Sequence, residues 1–198
     1  MVTRRHFILG VAALAATLPA GAQADLPQRP RDLIRAARRQ IGDTVTYDSA
    51  YARIAYPNGD VPSERGVCSD VVIRAYRDAF GIDLQRLVHE DMAANFAAYP
   101  HNWGLNRPDS NIDHRRVPNL MVFFKRRGAK LPDGTDYQPG DLVTQAVGGR
   151  LPHIVILSGD KDRRSGRWQV IHNIGMGTQV ADTLDAYPKT GHYRYEMT

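Results

Sequence analysis

The sequence predicts an α+β protein whose helical N-terminal half packs on a mainly antiparallel sheet. Three observations predict this. Apolar residues recur at helical spacing in four segments between residues 32 and 127. After Pro139-Gly140 the pattern changes to short strand-like runs separated by glycine or proline. Helices followed by strands then indicate an α+β arrangement. With 42% hydrophobic and 24% charged residues in 198, the composition suits one buried core, so a single domain is expected.

Residues 1–24 are expected to form a cleaved export signal and residues 25–198 the domain. Thr3-Arg4-Arg5-His6-Phe7-Ile8 is a charged start, Leu9 to Leu18 an alanine-rich apolar run, and Ala22-Gln23-Ala24 a small-residue cleavage pattern. The run is too short to span a bilayer core of about 30 Å, so no membrane anchor is expected after cleavage. The paired arginines resemble a twin-arginine signal, although ordinary secretory signals also carry paired basic residues. Either route implies a periplasmic protein.

The first helix is expected over residues 32–40, with Leu33, Ile34, Ala37 and Ile41 on one side and Gly42 at its stop. Residues 43–66 read as a turn-rich loop whose Tyr47, Tyr51 and Tyr56 are bulky enough to pack over a cleft. A second helix spans residues 67–80, with Val71, Val72, Ala75, Tyr76 and Ala79 on its apolar face and Gly81 closing it. Two more follow, over residues 84–98 and 118–127, separated by an irregular stretch through Pro100, Trp103 and Pro108. Strands are expected over residues 141–145, 153–158, 168–173 and 193–196.

The formal net charge is +5, and removing Arg4 and Arg5 with the leader, which carries no acidic residue, leaves +3. No basic run interleaved with aromatics is present, so a nucleic-acid partner is not expected. Gly175-Met176-Gly177 lacks phosphate-loop spacing and reads as a turn, so no nucleotide cofactor is implied. Asn111-Ile112-Asp113-His114-Arg115-Arg116 is read as an ion-pair and capping network ahead of a metal site.

The chain has one cysteine, which rules out an internal disulfide and a thiolate metal cluster. In an oxidising compartment Cys68 is either a buried small hydrophobe or a functional thiolate. It lies in the first turn of the second helix, where unpaired N–H groups and the helix dipole favour thiolate. Asp70 in the same turn opposes that, but two helical positions turn it well away from the thiol. It is assigned a structural or substrate-positioning role.

His153 and His172 lie on strands joined by a polar loop bounded by Gly159 and Gly166. A hairpin symmetric about that loop opposes the two histidines directly, on a face shared with Val155, Leu157, Trp168 and Val170. Each histidine is either a satisfied strand residue or part of a pair. A thiol, a base and an orienting group together are what a cysteine nucleophile requires.

Tyr47, then Gly66-Val67-Cys68-Ser69-Asp70 opening a helix, Pro139-Gly-Asp-Leu-Val143, His153-Ile-Val-Ile and Val170-Ile-His172 together resemble the NlpC-type, papain-like cell-wall cysteine peptidases. More narrowly, the segment from Gly66 to Ala75, His89-Glu-Asp91 and the segment from Asn111 to Leu120 look like the bacterial family domain of unknown function 1287. The resemblance covers nearly the whole chain after the leader. It implies a papain-like fold, a Cys68–His153–His172 triad without metal or cofactor, and Tyr47 as an oxyanion donor. The implied activity is hydrolysis of amide bonds in peptidoglycan peptides by a monomer. Acyl transfer by the same triad, or a non-catalytic module that binds cell-wall peptides, are the alternatives. Where the peptidases have Asp-Cys-Ser-Gly, this chain has Val67-Cys68-Ser69-Asp70, so a carboxylate stands in place of a small residue.

Overall fold

The computed structural model describes residues 26–197. The expected export signal lies outside these residues. Four α-helices, α1 (Gln28–Arg39), α2 (Cys68–Phe80), α3 (Leu84–Asn95) and α4 (Val117–Arg126), precede a five-stranded antiparallel sheet. Its strands are β3 (Leu142–Val147), β4 (Leu151–Lys161), β5 (Trp168–Asn173), β6 (Thr178–Ala181) and β7 (Lys189–Tyr193), in the order β6-β5-β4-β3-β7. The protein is therefore α+β, with its helices before its sheet.

The central strand β4 is buried on both faces, which is why it reads as an apolar run. Ile154 and Ile156, with Leu142 and Ile171 of the neighbouring strands, pack against Leu33 and Ile34 of α1 and Val72 and Tyr76 of α2. Val155 and Leu157 point the other way and join Val143, Val170 and Leu184 in a second cluster, flanked by Tyr137 and Trp168. Alternate residues of one strand thus serve two cores.

Several boundaries differ from the sequence expectation. Helix α1 starts one turn earlier and ends at Arg39, which leaves Ile41 43% exposed in the following turn instead of on the apolar face. The last strand is Lys189–Tyr193 and not residues 193–196. Its Thr190, Gly191 and His192 give no apolar alternation, whereas Tyr193 and Tyr195 beyond do. The edge strand β6 was not expected, because four residues, of which Thr178 is buried and the other three half-buried, carry little pattern.

The 43–66 loop is not structureless. Its ends pair as two short parallel strands, β1 (Thr46–Tyr47) and β2 (Arg65–Gly66), with Tyr47 opposite Gly66. Arg74 of α2 reaches under it and donates to Asp60 through Nε and Nη2, both at 3.0 Å, and to the Val61 and Arg65 carbonyls at 3.1 and 3.0 Å. Gln85 of α3 accepts from Gly59 N–H and donates to the Ala55 and Ser110 carbonyls. These buried polar groups hold the loop against the helices.

Candidate active site

Helix α2 begins at Cys68, and its N-terminus is held from three sides. Val67 N–H donates to the Asp70 carboxylate at 2.7 Å, which satisfies an orphan donor of the first turn. Ser69 Oγ donates to the Arg115 carbonyl at 2.6 Å, and Asn173 Nδ2 of β5 donates to the Gly66 carbonyl at 3.0 Å.

That last contact shows where the thiol sits. The β4–β5 ladder pairs Leu157 with Val170 and Ile156 with Ile171, and its Cα pairing goes no further in that direction. Beyond it, Asn173 serves Gly66 and the Ile154 N–H serves the Cys68 sulfur. The helix start thus enters the open end of the ladder, beside the residue that follows His153.

His153 and His172 are joined there, Nε2 to Nδ1, at 2.9 Å. They are not directly opposed as the symmetric hairpin predicts. The β4–β5 register places Ile156 opposite Ile171, which sets His172 beside Val155, two residues along from His153. The hairpin turns later than expected, because β4 runs past Gly159 to Lys161 opposite Trp168, and the irregularity between Leu157 and Lys161 takes back part of that displacement. A shift of two residues preserves the face, so the imidazoles still meet as diagonal neighbours. The face they share with Val155, Leu157, Val170 and Trp168 is as expected.

Burial sets the protonation states. Both imidazoles are nearly inaccessible. Burial lowers the pKa of His153 to about 3, with His172 contributing, and that of His172 to about 4. Burial likewise raises the Cys68 thiol to about 11, against the N–H groups of Ile154, Ser69 and Cys68 that favour its anion. The resting pair is therefore a neutral thiol and a neutral imidazole, in contrast to the thiolate expected from the helix start. Cys68 meets the backbone of Ile154, the residue after His153, but the His153 side chain lies on the opposite face of β4 from Ile154; thiol and imidazole are not hydrogen bonded, and neither histidine lines the cleft that holds the thiol. His172 Nε2 is buried without a partner.

Asp70 is buried and fully engaged. Arg115 grips it through Nε and Nη2, each at 2.9 Å, and both side chains are 3% exposed. Arg115 also donates to the Asp48 and Ala50 carbonyls. The expected Asn111-to-Arg116 network is present: Asp113 accepts from Asp109 N–H and Arg116, and Asn111 bonds Asp109, Tyr51 and Ile54. Sequence reasoning placed neither the Asp70–Arg115 pair nor Trp103 at this site. Nothing in a linear pattern marks a pair 45 residues apart.

The thiol forms part of a cleft of about 390 Å³ whose walls include Tyr47, Tyr51, Trp103, Arg116, Pro118 and Pro152. Tyr47 is half exposed, and burial together with nearby Cys68 and Asp70 raises its hydroxyl to about 12. Tyr56, the third tyrosine of the loop, packs on His89 instead. A larger groove of about 690 Å³ lies by Tyr137, Trp168 and Lys189. Its one imidazole, His192, is committed to Asp141 at 2.7 Å, and it has no nucleophilic thiol. The smaller cleft is accordingly the candidate site.

The family described as domain of unknown function (DUF1287) matches residues 34–195 of this chain. The uncharacterized protein YijF of Escherichia coli (strain K12) is 56% identical over 162 residues, which cover 80% of this chain and 78% of that protein.

Proposed function

This chain belongs to the domain of unknown function 1287 family, and from that premise we propose that it is an exported cysteine hydrolase of papain-like, NlpC type acting on amide bonds of peptidoglycan peptides in the periplasm. The observation that carries this reading is the seating of the Cys68 helix start at the open end of the β4–β5 ladder, against the backbone of Ile154, one residue from the bonded His153–His172 pair in sequence. The motif order quoted above supports it.

In the proposed reaction His153 accepts the Cys68 proton at Nδ1 as the sulfur attacks the substrate carbonyl carbon. His153 Nε2–H donates to His172 Nδ1, so His172 orients the ring and stabilises the imidazolium. The oxyanion takes hydrogen bonds from the N–H groups of the helix start and from Tyr47. Collapse breaks the C–N bond, and the leaving amine takes the proton from His153. Water then gives a proton to His153 and attacks the thioester, which releases the carboxylic acid and restores the Cys68 thiol. Because the resting thiol is neutral, proton transfer accompanies attack and does not precede it. Asp70, neutralised by Arg115, positions the helix start.

The buried, neutral thiol without a direct imidazole contact favours a second reading, a non-catalytic module that binds wall peptides. One experiment separates the two. Purified protein lacking residues 1–24 and its Cys68→Ala variant are incubated with whole sacculi, and soluble muropeptides and pelleted protein are both measured. New fragments with the wild type alone support hydrolysis, and their masses identify the bond. Equal pelleting of both proteins with no new fragment supports the binding module.

A further inference from the structure

Two adjacent arginines line the thiol cleft, and they differ in what is left of their hydrogen-bonding capacity. Arg115 is consumed by Asp70 and two backbone carbonyls. Arg116 has a single long contact, Nη1 to Asp113 at 3.4 Å, and its guanidinium lies over the Trp103 ring at 4.2 Å from the centroid. A guanidinium lying over an aromatic face keeps the N–H donors of its own plane free at its edges, which suits it to take a carboxylate with two parallel bonds. Of the nearby acids, Asp113 also accepts from Asp109 N–H, and Asp109 is occupied by Asn111 and the Tyr51 hydroxyl. The rest of the cleft wall near it is apolar or aromatic, through Ile112, Val117 and Pro118.

We infer that Arg116, laid on Trp103, is a carboxylate-binding residue of this cleft, so that the ligand is a peptide carrying a free carboxylate within one or two residues of the carbonyl presented to Cys68. The identification of that carbonyl rests on the hydrolase reading; the carboxylate subsite itself does not. Asp113 sets the tilt of the guanidinium, and Trp103 keeps water from one of its faces, which strengthens a charge-assisted bond at its edge.

The test uses the Cys68→Ala protein lacking residues 1–24 and two synthetic stem tetrapeptides, one with all carboxylates free and one fully amidated, with affinities measured by calorimetry. The acid is expected to bind about tenfold or more tighter than the amide, the discrimination of one charge-assisted pair. Arg116→Gln should abolish that preference while leaving amide affinity within about twofold, Arg116→Lys should keep part of it, and Trp103→Leu should weaken acid binding several-fold. The inference is overturned if the parent binds acid and amide equally, if neither peptide binds, or if folded Arg116→Gln retains the preference. Should Arg116→Gln not fold, an unchanged preference in both Arg116→Lys and Trp103→Leu overturns it. Arg116-dependent binding without cleavage by the wild type leaves the subsite standing and sinks the hydrolase reading; cleavage without preference does the reverse.

Discussion

On the helical side of the cleft, polar groups are fixed by side chains that reach across the sequence: Arg115 to Asp70, Arg74 to Asp60, Gln85 to the backbone of the 43–66 loop. On the sheet side, His153 and His172 are placed by strand register and meet only each other. The first scaffold is made of buried charge and fails when one partner is removed. The second is made of backbone hydrogen bonds and apolar packing, and its weak point is the proton. A thiol and a base held by such different means respond to different perturbations, and three experiments, in order of expected effect, test that contrast.

The largest effect of a single substitution is expected at Arg115. Replacing it with methionine leaves the Asp70 carboxylate buried without its counter-charge, at a cost of roughly 3 to 5 kcal/mol in denaturant unfolding. Adding Asp70→Asn removes the stranded charge, so the double variant should be more stable than Arg115→Met alone. If the single variant unfolds within about 1 kcal/mol of wild type, the charge network is not what holds the helical side.

Acid should reach the sheet side instead. His153 at about 3 and His172 at about 4 both lie below the ordinary 6.5. Between those values the unfolded chain binds protons that the folded chain refuses. Stability is therefore full above about pH 6.5 and falls as pH drops toward 4, by roughly 3 kcal/mol per histidine at the bottom of the window. His114, buried and lowered to about 4, adds a similar term from the helical side. Urea midpoints from pH 7 to 4 should fall steeply in the wild type and less so in His172→Gln. Equal slopes would mean that His172 is not held neutral by burial.

The same contrast explains what the sequence made legible. Alternation along a strand has period two, so the shared face of His153 and His172 survived a register error of two residues. The helix start at Cys68 was visible because Gly66-Val67 interrupts the loop and an apolar stripe follows. By contrast, Asp70 reads only as a structural or substrate-positioning carboxylate, and nothing in the sequence marks Arg115, 45 residues away, as the partner that buries it. The neutral state of the thiol was also illegible, since helix position predicts a thiolate and only three-dimensional burial opposes it. Ladders repeat locally and announce themselves; ion pairs across a fold do not.

The smallest effect is expected where an ion pair lacks burial. Arg86 and Glu90 on α3 meet at 3.2 Å, but their side chains are 46% and 52% exposed. Water and salt screen such a pair, and arginine lies N-terminal to glutamate, the less favourable order on a helix. Arg86→Ala should shift unfolding by under about 0.5 kcal/mol, and the shift should shrink further in 1 M salt. Arg115→Met should keep nearly its full penalty in that salt, because the screening ions cannot reach a pair that is 3% exposed on both sides. If instead the two variants lost stability in similar amounts and with similar salt dependence, burial would not separate the arginines of this fold, and the helical side of the cleft would owe its rigidity to apolar packing like the sheet side.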